Sequence, residues 1–162
     1  MRIRLALEDV PAIAALHAEG WRSFETFLPE AVWGSRTLQR RLSEWPRALR
    51  ERDVLLAEEQ DRLVGFISTR MRGRDGELST FFVASDSRGR GLGRRLLAAA
   101  AGRLAEQGAA RIVVRTFAEG RACVLFDRLG GVIIDTAVRD HGGADVAEVT
   151  YQWRAGALER WR

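Results

Sequence analysis

The stretch FFVASDSRGRGLGRRLLAAA, residues 81–100, changes character twice along its length. It begins as an apolar run from Phe81 to Ala84, turns through Ser85–Ser87, and ends as an alanine- and leucine-rich segment with helical spacing. Between the predicted strand and the predicted helix lies RGRGLG, residues 88–93. A plain turn needs one or two glycines, so three glycines interleaved with arginines at this junction call for another explanation.

The glycine–arginine junction predicts a site for a phosphate-bearing ligand. The start of a helix exposes unpaired N–H groups and the positive end of the helix dipole, which attract anions. Glycines let a large anion approach the backbone closely. Neither a Gly-Lys-Ser/Thr ending nor a G-x-G-x-x-G spacing is present, which excludes two common phosphate loops. The pattern that remains is R-x-x-G-x-G, formed by Arg88, Gly91 and Gly93.

Apolar spacing along the rest of the chain predicts the order β-α-α-β-β-β-α-β-α-β-β. Short turns between consecutive strands indicate antiparallel pairing, and the strand-helix-strand unit from Glu77 to Thr116 indicates one parallel pair. We expect residues 27–34 to be irregular and Pro46 to kink or divide the second helix. The predicted fold is α/β, a single mixed, mostly antiparallel sheet flanked by helices, in one domain over residues 1–162.

Composition limits the kinds of partner. The chain has 162 residues and a net charge of +4, and all 26 basic residues are arginine. This charge favours anionic ligands weakly, and the scattered arginines argue against a nucleic-acid-binding domain. One cysteine, two separated histidines and the lack of a long apolar segment lead us to expect a cytoplasmic protein without a metal site or membrane span.

The segments around the junction resemble the GNAT superfamily of N-acetyltransferases. RGRGLG resembles that family's acyl-CoA motif, and the preceding GELSTFFVASDS resembles its fourth strand. EGRACVLFDRLGG resembles the family's N-x-x-A-x-x-x-Y-x-x-x-G-F motif, and LEDVPAIAALHAEGWRSFETFLPE resembles bacterial members with a His-x-x-x-Trp-Arg first helix. The likeness covers nearly the whole chain.

The resemblance implies acetyl-CoA as co-substrate and gives roles to residues on both sides of the junction. The main chain of Val83 would pair with the pantetheine arm, and the N–H of Phe81 or Phe82 would polarise the thioester carbonyl. The sheet would splay beside this strand to form the acetyl slot. The pyrophosphate would be held by the loop and helix start, namely Arg88, Gly89, Arg90, Gly91, Leu92, Gly93 and Arg94. For Arg88 and Arg90, solvated loop charges are the alternative to phosphate pairing.

The resemblance also places Glu77 where some family members carry the general base. Side-chain alternation puts Glu77 on the same face as Phe81 and Val83 unless a bulge intervenes, about 20 Å from Val83 by strand rise. The alternative is a solvated residue at a strand edge. Where many relatives have a proton-donating tyrosine, this chain has Phe126, and Tyr151 is its only tyrosine.

We therefore expect an N-acetyltransferase that moves an acetyl group from acetyl-CoA to a primary amine by direct attack in a ternary complex. The alternative is a GNAT-like acyl-CoA-binding module without catalysis, suggested by Phe126. The acceptor, a small molecule or a peptide amine, is not encoded in any spacing that we can read. The last strands could pair across a homodimer.

Overall fold

Seven strands form one sheet in the computed structural model, which describes residues 2–158. In chain order the elements are β1 (Arg2–Leu5), α1 (Val10–Arg22), α2 (Glu30–Trp33), α3 (Leu38–Glu51), β2 (Asp53–Glu59), β3 (Arg62–Arg72), β4 (Asp75–Val83), α4 (Leu92–Glu106), β5 (Arg111–Phe117), α5 (Ala122–Arg128), β6 (Val132–Asp140) and β7 (Asp145–Arg154). The strand order is β1-β2-β3-β4-β5-β7-β6. Only β4 and β5 are parallel neighbours, so the predicted mixed, mostly antiparallel sheet is confirmed.

Two layers of helices cover the sheet. On one face, α4 turns an apolar stripe that includes Leu92, Leu96 and Leu104 toward the strands, and α5 adds Phe126. On the other face, α1 and α3 pack around Phe66 of β3. None of the helices within residues 2–158 is long and apolar enough to cross a membrane.

Two local expectations are wrong. The segment predicted to be irregular contains the short helix α2, which begins directly after Pro29 and buries Val32. Pro46 does not divide the second predicted helix, because α3 runs from Leu38 to Glu51 without a break. Pro46 is exposed, so water can bond the carbonyl that loses its helical N–H partner.

Candidate active site

The parallel strands β4 and β5 lie side by side for only part of their length. They pair from Asp75 opposite Arg111 to Leu78 opposite Val114, and then separate. Beyond this point β4 continues to Val83 and β5 to Phe117. The gap between them is a cleft of about 990 Å³, which we call the cleft hereafter. The expected splay of the sheet is therefore present.

The main chain of β4 offers hydrogen-bonding groups to this cleft. The N–H of Ala84, directly after β4, donates to the carbonyl of Val64 in β3 at 2.9 Å. In the residues before Ala84, the main-chain N–H and C=O groups point alternately toward β3 and away from it. By this alternation Phe82 bonds to β3, whereas the N–H and C=O of Phe81 and Val83 point toward the cleft. The resemblance offered the N–H of Phe81 or of Phe82 as a donor to the thioester carbonyl, and of these two it is the N–H of Phe81 that faces the cleft.

The three glycines of the junction serve two purposes. Gly89 and Gly91 both have φ of +78°, a conformation that side chains disfavour, and Gly91 is the residue that caps the start of α4. At Gly93, an added Cβ would lie 3.1 Å from the Phe81 ring and 3.3 Å from Leu125. Two glycines therefore shape the loop, and the third lets α4 approach β4 and α5 closely.

Arginines of this loop, residues Arg88–Arg94, surround the N-terminal end of α4. Arg88, Arg90 and Arg94 all line the cleft. Arg88 Nε donates to the carbonyl of Val83 at 2.9 Å, which occupies the acceptor that the pantetheine arm was expected to use. Arg90 pairs with Glu59 of β2. Positive side chains and free helical N–H groups thus converge at one end of the cleft.

Aromatic side chains form the other end, which we call the aromatic end and define by His17, Trp21, Phe24 and Phe117. Trp21 contacts Phe117 with ring centroids 5.9 Å apart. His17 is buried, and burial, followed by the charges of Arg41 and Arg36, lowers its pKa to about 3. A neutral His17 therefore accepts a hydrogen bond from Trp21 Nε1 at 2.9 Å or from Trp45 Nε1 at 3.1 Å. Its role is packing within the wall of the cleft.

Among the described residues 2–158, Glu148 of β7 is the one carboxylate that lines the cleft. It is 9% exposed, and His141 Nε2 lies 2.9 Å from its Oε1. Arg139 Nε lies 3.0 Å from Oε2, but its N–H is not directed at that oxygen, so the contact is an ion pair rather than a hydrogen bond. Glu148 pairs in register with Phe117, which places the carboxylate beside the aromatic end. The arginines of the described part of the chain that line the cleft are Arg41, Arg88, Arg90, Arg94, Arg115, Arg121 and Arg128.

A family model described as the acetyltransferase (GNAT) family matches residues 13–130. The chain belongs to the GNAT acetyltransferase family. The match spans both the first helix and the glycine–arginine loop, so the resemblance stated from the sequence is confirmed. A comparison with curated proteins found no match.

Solved GNAT structures share this fold over nearly the whole chain. A ribosomal-protein-alanine N-acetyltransferase from Brucella melitensis is 26% identical, with a TM-score of 0.75 over 95% of this chain and 99% of that chain. YncA from Salmonella typhimurium, a structure with its cofactor acetyl-CoA, is 24% identical, with a TM-score of 0.74 over 96% and 94% of the two chains. An aminoglycoside 6′-acetyltransferase type Ii is 22% identical, with a TM-score of 0.73 over 96% and 97%. The last two likenesses show the fold alone.

Glu77 is not brought to the cleft. The register between β3 and β4 shifts where Ser68 faces Thr80 but Thr69 faces Leu78, so Ser79 is an extra residue in β4. The bulge reverses the alternation, and the expectation that Glu77 shares a face with Phe81 and Val83 is wrong. Leu78, Phe81 and Val83 all pack toward the α4 layer, whereas Glu77 points to the opposite face.

Arginines hold Glu77 there in an ion-pair cluster. Arg70 donates to both of its carboxylate oxygens at 3.0 Å, and Arg72 Nε donates at 2.8 Å. Burial opposes ionisation of Glu77, but the hydrogen bonds and charges of Arg70 and Arg72 outweigh it and hold the pKa below its usual value. A carboxylate that is paired in this way is a weak proton acceptor, and Glu77 is absent from the residues that line the cleft.

No tyrosine stands at the family's proton-donor position. Phe126 lies there, 1% exposed, and packs against Tyr151 and Trp153. Tyr151 donates to Asp127 at 2.8 Å and is 2% exposed, and burial together with this carboxylate raises its pKa. Burial also raises the pKa of the Cys123 thiol. Within residues 2–158 no group of three or more His, Cys, Asp or Glu side chains is arranged to hold a metal ion.

Sequence reasoning missed two cleft residues that leave a trace in the pattern. Glu148 interrupts the otherwise uncharged run VAEVTYQW and is followed directly by the buried residues Val149, Thr150 and Tyr151. Arg41 stands four residues before Trp45, on the apolar face of α3, where helical spacing calls for an apolar side chain. In both cases, a charged residue at a position expected to face the core could have indicated a functional residue.

Proposed function

We propose that this GNAT protein transfers an acetyl group from acetyl-CoA to a primary amine by direct attack in a ternary complex. One observation carries the proposal: the glycine–arginine loop opens onto the cleft beside the outward-facing main chain of Phe81 and Val83. The loop offers positive φ glycines, arginines and a helix start, which suit a pyrophosphate.

Each part of the cleft would hold a different part of acetyl-CoA. The N–H groups from Arg90 to Arg94 would bind the pyrophosphate, with Arg88 and Arg90 as phosphate partners. The pantetheine arm would lie along β4 and displace Arg88 from the Val83 carbonyl. The N–H of Phe81 would donate to the thioester carbonyl, where negative charge develops during attack.

The acceptor amine must lose a proton before it can attack, because an ammonium has no lone pair. Glu148 supplies the negative charge that would attract the ammonium, and we propose it as the group that takes the proton directly or through water. The neighbouring His141, 2.9 Å away, holds the carboxylate in place. Phe126 cannot protonate the departing CoA thiolate, so we assign that proton to solvent.

Release of free CoA thiol in the presence of a panel of amines tests the proposal. We expect steady thiol release that depends on both acetyl-CoA and one class of primary amine, with the acetylated amine detected by mass spectrometry. Tight acetyl-CoA binding without transfer to any amine would favour the alternative, an acyl-CoA-binding module that has lost catalysis. Failure to bind acetyl-CoA would reject both.

We also propose a cytoplasmic homodimer. The single free thiol, Cys123, suits a reducing compartment. The edge strand β6 exposes apolar side chains along its length: Val132, Ile133, Ile134 and Val138. Antiparallel pairing of two β6 strands about Ala137 would set Asp135 of each copy opposite Arg139 of the other, which gives complementary charges on both sides of the axis.

Sedimentation velocity with charge-swapped variants tests the dimer. We expect Asp135→Arg to shift the wild-type dimer toward monomer, and Asp135→Arg combined with Arg139→Asp to restore it. A wild-type monomer at all concentrations, or a dimer indifferent to both changes, would contradict this arrangement.

A further inference from the structure

We infer that the aromatic end of the cleft binds an oxyanion, in the simplest case a carboxylate, carried by the amine acceptor, and that Arg41 is the residue that holds it. The inference rests on the proposed acetyl transfer and adds the chemical class of the acceptor. It starts from a charged side chain, two of whose nitrogen atoms make no hydrogen bond with the described residues 2–158.

Arg41 is buried without adequate partners. Its side chain is 7% exposed, and neither Nε nor Nη2 makes a hydrogen bond. The Glu44 carboxylate lies 3.0 Å from Nη2, but the N–H is not directed at it. Glu44 is itself 44% exposed and accepts a hydrogen bond from Arg40 Nε at 2.8 Å. Glu44 thus screens the charge of Arg41 and leaves its donors unused.

Apart from the nearby Glu44 carboxylate, the described residues provide no acceptor that is aligned with Nε or Nη2 of Arg41. Arg41 lines the cleft beside His17 and Trp21. The indole N–H groups of Trp21 and Trp45 are donors already directed at His17, and the low pKa of His17 keeps that ring uncharged. Arg36, whose guanidinium lies 4.8 Å from the centroid of the Trp21 ring, adds a second positive charge. A planar oxyanion fits the fork of a guanidinium and would satisfy it.

Arg41 lies apart from the residues that suit the CoA phosphates. Those phosphates have their own arginines in the loop Arg88–Arg94, between β4 and α4. Arg41 projects from α3, next to the aromatic end. Glu148, beside Phe117, is the negative group of that same end, and the rings of Trp21 and Phe24 lie against Phe117 at 5.9 and 5.6 Å.

The aromatic end therefore has a negative group and a positive group with apolar rings between them. An acceptor that carries an amine and a carboxylate matches this pattern, because the amine would be attracted to Glu148 and the carboxylate to Arg41. Free amino acids and short peptides both have this chemistry, and the experiment separates them.

Calorimetry on the complex with CoA tests the inference without relying on turnover. Wild-type protein saturated with CoA is titrated with each of the common amino acids, with their carboxamides, and with dipeptides. We expect at least one carboxylate form to bind tenfold or more tightly than its carboxamide. Tighter binding of the free amino acid than of every dipeptide that contains it would identify a free amino acid as the ligand, and the reverse would identify a peptide.

Three variants connect that preference to Arg41. Arg41→Met should remove the carboxylate preference, and Arg41→Lys should keep part of it. Arg40 is the exposed neighbour that also contacts Glu44, and Arg40→Met should leave the carboxylate preference unchanged. The melting temperature of Arg41→Met should not fall, because the change removes an unsatisfied buried charge, whereas a purely structural arginine would cause a loss.

The outcomes are distinguishable from failure of the proposed function. Equal binding of carboxylates and carboxamides to the wild type, no binding of either, or a preference that survives in Arg41→Met overturns the inference. Carboxylate-dependent binding through Arg41 without thiol release would uphold it and reject acetyl transfer.

Discussion

The two ends of the cleft are built in different ways. The glycine–arginine loop acts through main-chain groups from a single run of residues, where Gly89 and Gly91 set the backbone and α4 supplies the helix start. The aromatic end and its neighbours Arg41 and Glu148 would act through side chains, which come from α1 and the turn after it, α3, β5 and β7 and are far apart in the chain. The first is a local structure, and the second exists only once α1 and α3 have packed on the sheet.

Under the proposed function, this difference gives the two ends separate tasks: the loop would bind acetyl-CoA, and the aromatic end would select the acceptor. A main-chain site needs particular residue types at a fixed spacing, which many sequences can share. A side-chain site changes whenever one of its elements carries a different residue, and the fold is unaffected. Variants at the two ends should therefore fail in different assays, with loop variants losing acetyl-CoA binding and aromatic-end variants losing amine acetylation.

The largest effect should come from Glu148→Gln. We expect kcat/KM for the amine to fall by roughly 10²-fold, because the change removes a general base, while acetyl-CoA affinity stays the same. Raising the pH should restore part of the rate as more amine becomes neutral.

Arg139→Gln is the matched control for that variant, since it removes an ion-pair partner and keeps the carboxylate. If Arg139→Gln is as slow as Glu148→Gln, the carboxylate is only part of a structural ion pair. A Glu148→Gln enzyme with the wild-type rate would separate Glu148 from the chemistry altogether.

At the loop, Gly91→Asp should lower CoA affinity by at least about tenfold, or about 1.4 kcal/mol. The φ of +78° makes any side chain strained there, and the carboxylate would repel the pyrophosphate. Calorimetry compares it with Gly91→Ala, which introduces the strain without the charge. Equal losses in both variants would assign the effect to the backbone, and no loss in either would reject the cradle.

Much of the fold and of the loop could be predicted from the sequence, because period-2 and helical patterns and glycine spacing are local properties. The face of the sheet on which Glu77 lies could not be predicted, since the bulge at Ser79 depends on the pairing of β4 with β3. The partners of Arg41 and Glu148 likewise depend on which elements pack together. Helix α2 was missed because its four residues are too few to show a periodic pattern.

The aromatic end should also make the protein sensitive to acid. The pKa of His17 in the folded protein, about 3, lies below the usual histidine value of 6.5, so the unfolded chain binds the proton more readily. The stabilisation is present above about pH 6.5 and is lost as the pH falls toward 3. Melting temperatures measured from pH 7 to pH 4 should fall more steeply for the wild type than for His17→Gln. Parallel curves would show that His17 is not buried as a neutral ring.

Tyr151→Phe should change the rate by no more than a few-fold. Its hydroxyl donates to Asp127 and is buried away from the cleft, so the main expected loss is about 1 kcal/mol of stability from the hydrogen bond. Thermal denaturation and thiol release measure the two effects separately. A large loss of rate with acetyl-CoA binding intact would reveal Tyr151 as a proton donor.

The smallest effect on catalysis should come from Glu77→Gln. Glu77 is not among the described residues that line the cleft, and its carboxylate is held by Arg70 and Arg72. We expect a rate at pH 7 within about threefold of wild type, where loss of a general base would cost 10²-fold or more. The ion pairs are partly exposed, which limits the loss of stability to about 1 kcal/mol.

The pH dependence of stability gives this variant an independent check. Because the folded pKa of Glu77 is lowered, the stabilisation from its ion pairs is present at neutral pH and is lost as the pH falls through that lowered value. Glu77→Gln should therefore be slightly less stable than wild type at pH 7 and approach it in acid. A 10²-fold loss of rate that recovers at high pH would instead assign the base to Glu77, and proton transfer would then have to reach the cleft through the bulge at Ser79.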